Sequence, residues 1–351
     1  MRTHCKIAGS LLGILLLGNL SMSAGQEIAR DTAFLYEAND STAVTVHLLD
    51  DTTGIPVCYS AHLTTGVCAD GLCRPVDIHI YWDLLGRFQD YRMSPGHPIT
   101  KFDHQPLTTD DHTKLRQLLA DTSSLLRDYA IADMIDTTIK VRSGVLDAVT
   151  GATNPTFESV TVPGAMYTVY TLWHFVNGPV RSQIRQHTNV LLTDALITKM
   201  LQSDRLDYQQ FIYEHLTDAQ RKQFASIILA LIGSDDPYIP HFAVDQLTPE
   251  LLADSVLQVR AVEYIETVGM PVQNSLLSKI SGLPLHHGSI QQLLEMVPAF
   301  SVGQLPNVFA ILEDNSSSIK GTTFETLTEL SQRKGKPYSP FISKLIQRVP
   351  K

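Results

Sequence analysis

The chain has 351 residues, with 27 basic and 36 acidic side chains and a formal net charge of −9. Its composition, 44% hydrophobic and 18% charged residues, is typical of globular proteins and excludes extended disorder. The acidic balance argues against a nucleic-acid-binding protein, which needs a basic face. The length exceeds that of one average domain and predicts two domains.

The first 25 residues have the pattern of a secretory signal peptide. Arg2 and Lys6 precede an apolar block at residues 7–20, and small residues follow as far as Gly25. The block is shorter than the roughly 20 residues of a membrane span, and an uncleaved anchor is the alternative. Cleavage near Gly25 predicts an exported bacterial protein, periplasmic or extracellular, with no membrane span in its mature form. The mature chain would carry 25 basic and 36 acidic residues, a net charge of −11.

Residues 27–186 are predicted to form an α+β domain, an antiparallel sheet with helices. Apolar and polar residues alternate at 43–49, which predicts a strand, and residues 55–59 are its predicted hairpin partner. Pro56 favours an edge position for that partner. The clearest alternation in the chain, at residues 76–82, predicts a further strand.

Local signals for a turn and for helices follow this strand. Gly86 predicts a turn into a second strand of the same hairpin. Thr108 and Asp111 have the spacing of a capping box, which predicts a helix that buries Leu115 on its apolar face. Residues 123–134 predict another short helix.

Residues 187–351 are predicted to form an all-α domain. Helical segments of roughly 8 to 15 residues follow one another, separated by Gly, Pro, Asn or paired Asp. Prolines recur near the ends of these segments: Pro237, Pro240, Pro249, Pro271, Pro284, Pro298, Pro306 and Pro340. Paired short helices without clear self-similarity are typical of a degenerate, HEAT-like helical repeat, and an irregular bundle is the alternative.

Three cysteines remain after signal cleavage, Cys58, Cys68 and Cys73, in a compartment where disulfides form. At most one intramolecular bridge can form among them, and Cys68 with Cys73 is the predicted pair. A metal site built from these thiolates and His62 is the alternative. A thiol or metal protein is therefore a further hypothesis for this chain.

A seven-residue segment between the two halves carries the strongest chemical signal. Residues 147–153 read Asp-Ala-Val-Thr-Gly-Ala-Thr. The segment resembles the covalent flavin-attachment sequence of exported FMN-binding domains, in which Asp and two variable residues precede Ser or Thr and then Gly-Ala-Thr. The resemblance implies FMN bound through a phosphoester to Thr153. It also implies a flavin transferase that recognises Asp147 and installs the cofactor.

The residue types of the segment suit this chemistry. Thr150 occupies the Ser or Thr position, and Gly151 and Ala152 keep bulk away from an approaching phosphate. Exposed N–H groups at these small residues would hold the phosphate as an anion. Pro155 departs from the family pattern, because it restricts Asn154 to extended geometry.

The most apolar and aromatic stretch of the mature chain, residues 162–176, predicts a helix with Pro163 in its first turn. At helical spacing Tyr170 and Trp173 share one side, and both are candidates to contact the flavin ring. His174 is placed near the polar edge of the ring in this interpretation. The alternative is a buried core helix whose polar tips find hydrogen bonds.

Together these signals predict an exported electron-transfer protein whose helical half binds a redox partner protein. It would be a redox carrier or an oxidoreductase subunit rather than a stand-alone enzyme. The sequence contains no hydrolase, metalloprotease or nucleotide-binding motif, and neither catalytic residues nor metal ligands are predicted. The alternative is a non-enzymatic helical scaffold or binding protein in which the Thr-Gly-Ala-Thr segment is only a structural turn.

Overall fold

The computed structural model describes residues 28–39, 42–67, 74–101, 104–136, 152–153 and 155–350. The chain divides into two compact units, of which the first ends at Leu196 and the second begins at Ile197. The boundary predicted after residue 186 lies ten residues earlier, inside a helix that spans Val180–Val190.

The first unit contains a five-stranded antiparallel sheet in which every strand pairs with its neighbour in sequence. The strands are β1 (Ile28–Asn39), β2 (Thr42–Asp50), β3 (Pro56–Thr65), β4 (Val76–Trp82) and β5 (Phe88–Met93). The predicted strands at 43–49 and 76–82 are confirmed. The sheet followed by helices also confirms the predicted order of an α+β half and an all-α half.

The edge position predicted for Pro56 is wrong. β3 lies between β2 and β4 in the sheet, and Pro56 is its first residue. Proline is tolerated at the first position of an interior strand, where the ladder begins. β3 also extends beyond the predicted residue 59, because Ala61 and Leu63 continue its buried face.

The turn between β4 and β5 is built on a buried carboxylate. Asp83 is 1% exposed, and its Oδ1 accepts hydrogen bonds from the N–H groups of Leu85 and Arg87 at 2.8 and 2.9 Å. Gly86 follows with a φ of +74°, and a Cβ there would lie 2.8 Å from the backbone of Arg181. The turn predicted at Gly86 is confirmed, and the absence of a side chain lets a helix pack directly on it.

The helices of the first unit are α1 (Thr109–Ala120), α2 (Met166–Asn177) and α3 (Val180–Val190). α1 begins with the predicted capping box, in which Thr108 accepts from the Asp111 N–H and the Asp111 carboxylate accepts from the Thr108 N–H. Leu115 is fully buried, as predicted. α2 begins at Met166, so Pro163 precedes the helix instead of standing in its first turn.

Two short segments replace the helix predicted at residues 123–134. They are the 3-10 helices Leu125–Arg127 and Ile131–Met134. A third 3-10 helix follows at Pro155–Val160. Between the second and third lie two very short strands, β6 (Ile135–Asp136) and β7 (Ala152–Thr153), which pair antiparallel.

Buried hydrogen bonds join α2 and α3 to the sheet. Trp82 is fully buried on β4, and its indole N–H donates to the Val176 carbonyl in the last turn of α2 at 3.1 Å. The Thr188 hydroxyl of α3 donates to the Leu84 carbonyl at 2.6 Å and contacts the Tyr59 hydroxyl at 2.9 Å. Because the hydrogen of Thr188 is already used, Tyr59 must donate to it. Burial raises the pKa of Tyr59 to about 12, so the phenol keeps this proton.

From Asp194 onward the described residues form a series of helices joined by turns and loops, without a strand. Its helices are α4 (Asp194–Leu201), α5 (Leu206–His215), α6 (Asp218–Gln223), α7 (Ala225–Ala230), α8 (Ile239–Asp245), α9 (Pro249–Leu252), α10 (Ser255–Thr267), α11 (Met270–Ile280), α12 (His287–Met296), α13 (Leu305–Asp314), α14 (Thr322–Gln332) and α15 (Ser339–Arg348). From α7 they pack in two rows. One row is α7, α10, α12 and α14, and the other is α8, α11, α13 and α15.

Each helix of the second row has proline as its second residue. These prolines are Pro240, Pro271, Pro306 and Pro340. The N–H groups of the first helical turn have no partner inside the helix, so proline costs nothing there. The predicted role of these four prolines at helix ends is confirmed.

Buried amides hold the connection between α11 and α12. Gln258, fully buried, donates to the Pro284 carbonyl and accepts from the His286 N–H, at 3.0 and 2.7 Å. Asn315 accepts from the Leu285 N–H at 2.7 Å on the other side. The backbone polar groups of this connection are thus paired although they lie among buried helices, as burial requires.

We predict that Gly86→Ala destabilises the first unit. The left-handed backbone and the contact with Arg181 together should lower the free energy of unfolding by about 2–4 kcal/mol. The matched control is Gly96→Ala, since Gly96 has a φ of +80° but open space around its Cβ position. We expect about 1 kcal/mol for this control. Both tryptophans lie in the first unit, so urea unfolding followed by tryptophan fluorescence reports on that unit. An equal loss of unfolding free energy in the two variants would contradict the packing argument.

Candidate flavin-attachment site

Part of the flavin-attachment motif belongs to a small strand pair. Ala152 and Thr153 form β7, in which Thr153 pairs with Ile135 and Ala152 with Asp136. The structure therefore gives the backbone of the predicted attachment residue a defined partner. Asp147, Thr150 and Gly151 lie outside the described residues.

The chain that leaves Thr153 is anchored within four residues. Phe157, in the 3-10 helix Pro155–Val160, is only 4% exposed. Its carbonyl accepts a hydrogen bond from the Thr161 hydroxyl at 3.0 Å, and the next carbonyl, of Glu158, accepts from the Lys114 ammonium at 3.0 Å. These contacts tie the arm after Thr153 to α1.

Trp173 is a core residue that connects α2 to the segment after α1. It is 3% exposed, and its indole N–H donates to the Asp121 carbonyl at 2.9 Å. Asn177, one turn later, donates to the Leu119 carbonyl at 3.0 Å. Trp173 is buried and its only polar group is already hydrogen-bonded. Its position therefore favours the core interpretation over contact with a flavin ring.

Tyr170 and His174 pack on each other one turn apart in α2. Their ring centroids are 4.2 Å apart. Burial lowers the pKa of His174, and a hydrogen bond to the Leu126 backbone opposes this change. The imidazole is therefore neutral at physiological pH. Its Nε2 is buried and has no hydrogen-bond partner among the described residues.

An exposed aromatic ring that the sequence did not single out lies beside this arm. Tyr129 is 43% exposed and meets the buried Phe157 ring edge to face, with centroids 5.1 Å apart. Leu125, in the neighbouring 3-10 helix, is also 43% exposed. The 3-10 helices that carry Leu125 and Phe157 pack against each other. The segment that follows the motif therefore contacts exposed apolar surface, which is a common feature of ligand sites.

The described residues include one of the three cysteines of the thiol or metal hypothesis. Cys58 is fully buried on β3, in a small cluster with Leu49 and Tyr81. His62, the imidazole of the alternative metal site, is hydrogen-bonded through Nε2 to the Asp77 carboxylate at 2.6 Å. The described residues contain no group of three or more His, Cys, Asp or Glu arranged to hold a metal ion. Cys68 and Cys73, the predicted disulfide pair, lie outside the described residues.

We predict that Trp173→Phe lowers the stability of the first unit by about 1 kcal/mol, the contribution of one hydrogen bond. The substitution keeps most of the apolar contact and removes the N–H donor to Asp121. Urea unfolding followed by Trp82 fluorescence measures the change. Val190→Ala is the control, because Val190 is 83% exposed on α3 and its removal should change stability by less than about 0.5 kcal/mol. Equal stability of Trp173→Phe and the wild type would contradict the bridging role.

Known proteins offer no template for this chain. It matches no family model, no curated protein and no solved structure. None of the helices in the described ranges is both long and apolar enough to cross a lipid bilayer. The functional argument therefore depends on the motif at residues 147–153 and on the surroundings of Thr153.

Proposed function

We propose that the chain is an exported flavoprotein that carries FMN on Thr153 and passes electrons to or from a partner protein. The observation that carries the proposal is the attachment motif, which ends at Thr153 on a paired strand. The buried Phe157 and the exposed Tyr129 and Leu125 beside it supply an anchored arm and apolar surface. Covalent attachment suits an exported protein, because a freely bound cofactor would be lost outside the cytoplasm.

The chain contributes one nucleophile to the attachment reaction. In the proposed step the Thr153 oxygen bonds the phosphorus of a flavin dinucleotide, the adenylate leaves, and the hydroxyl proton is lost. The chain then gains FMN minus water. Asp147 is proposed to be recognised by the transferase, and Gly151 and Ala152 leave space for the phosphate. Once bound, the isoalloxazine supplies the redox chemistry, and this chain supplies packing and the exclusion of water.

We predict that the exported protein, produced together with an active flavin transferase, has an intact mass increased by FMN minus water. Thr153→Ala should abolish the increase, and Thr153→Ser should retain it because the hydroxyl remains. Thr156→Ala is the control, since Thr156 is an exposed threonine in the 3-10 helix after Thr153 and should leave the mass increase unchanged. An unmodified wild-type chain beside an active transferase would contradict the proposal.

The second half of the proposal assigns partner binding to the helical unit. Its two rows of helices, with a proline opening every helix of the second row, fit a degenerate HEAT-like repeat. Exposed apolar residues lie at or shortly before the start of three successive helices of that row: Tyr238, Met270 and Val302 are 68%, 55% and 67% exposed. Exposed apolar side chains near the starts of successive helices suit contact with a protein surface.

We predict that replacing Tyr238, Met270 and Val302 together by serine slows the reduction of the flavin at least several-fold when membranes of the cell that exports the protein are supplied with NADH as electron donor. Loss of flavin absorbance over time is the measurement. The control replaces Val256 and Phe324, 64% and 41% exposed at the starts of first-row helices, by serine. The control should keep the wild-type rate, and an equal rate in both variants would contradict docking at the second row.

A further inference from the structure

Two large apolar side chains are exposed within one short segment between α1 and β6. Leu125 and Tyr129 lie four residues apart, and each is 43% exposed. The other exposed large apolar residues in the described part of the first unit lie on three different elements: Leu35 on β1, Met93 on β5 and Val190 on α3. Exposed apolar side chains that cluster in this way mark a surface for a ligand or a partner.

The Tyr129 ring packs against the buried Phe157 ring. Its plane is 74° from that of Phe157, with the centroids 5.1 Å apart, the geometry that aromatic pairs prefer. Phe157 is 4% exposed, so it anchors one edge of Tyr129 while much of the phenol remains accessible. Tyr129 therefore offers an accessible aromatic surface beside a buried ring.

This surface is close to Thr153 along the chain. Phe157 follows Thr153 by four residues, which span at most roughly 14 Å when fully extended and less within a 3-10 helix. In FMN a five-carbon ribityl chain separates the phosphate from the ring system. The threonine side chain, the phosphate and the ribityl chain together bridge a comparable distance, so the linkage is long enough for a ring attached at Thr153 to reach Tyr129.

We propose that Tyr129 and Leu125 form the platform against which the isoalloxazine ring of FMN packs. The inference rests on the proposed function and specifies where the ring of that cofactor lies. The Tyr129 phenol contacts one face of the ring, and Leu125 extends the apolar contact beside it. Water is thereby excluded from that face, which is one of the means by which a protein tunes a flavin.

The test compares Tyr129→Ala, Tyr129→Phe and Leu125→Ala in the full chain produced with a flavin transferase. An excited flavin takes an electron from a phenol in contact with it and returns it, which quenches flavin fluorescence. Both Tyr129 variants should therefore be several-fold more fluorescent than the wild type. Quenching by iodide measures the access of solvent to the flavin ring. It should increase in Tyr129→Ala and Leu125→Ala. It should not increase in Tyr129→Phe, because phenylalanine keeps the aromatic surface.

Phe324→Ala is the matched control, because Phe324 is a 41% exposed aromatic residue of the helical unit and lies outside the proposed docking row. It should leave fluorescence and iodide quenching unchanged. Intact mass separates the two proposals: an unmodified wild type contradicts flavin attachment itself. A fully flavinylated Tyr129→Ala variant with wild-type flavin fluorescence, wild-type iodide access and unchanged tryptophan emission contradicts the platform alone.

Discussion

Helix α2 is the element on which the arrangement of the first unit depends. Trp82 donates from the sheet to the Val176 carbonyl of this helix, and Trp173 donates from the helix to the Asp121 carbonyl. These are the two tryptophans of the chain. In each, the indole N–H donates a hydrogen bond to a backbone carbonyl outside its own helix or strand. Each such bond contributes about 1 kcal/mol, and the buried indoles contribute more through their apolar area. The sheet, α2 and the segment after α1 are thereby fixed relative to one another.

The position of the candidate site depends on these contacts of α2. A strand pair of two residues each, such as β6 with β7, is not stable by itself. The arm after Thr153 is held instead by the burial of Phe157 and by the bond from Lys114 of α1 to the Glu158 carbonyl. α1 in turn is joined to α2 through Asn177. The site proposed for the flavin is therefore supported by core packing rather than by the motif alone.

Local patterns in the sequence were sufficient for some elements and insufficient for others. β4 was predictable because its buried residues alternate. β1 was not, because Tyr36 is the one buried residue among its described side chains and its register shifts three times. The attachment motif is local and can be read from seven residues. Tyr129 could not be identified as a site residue, since its importance comes from a contact with Phe157, 28 residues away.

The central claim is that the hydroxyl of Thr153 carries the flavin. Trypsin releases the peptide of residues 143–181, which contains the whole motif, because Arg142 and Arg181 flank it without an intervening basic residue. Fragmentation of this peptide from the exported protein tests the claim most directly. The account predicts a flavin-fluorescent peptide whose fragment ions place FMN minus water on Thr153. An unmodified peptide, or the added mass on Thr150, would contradict it.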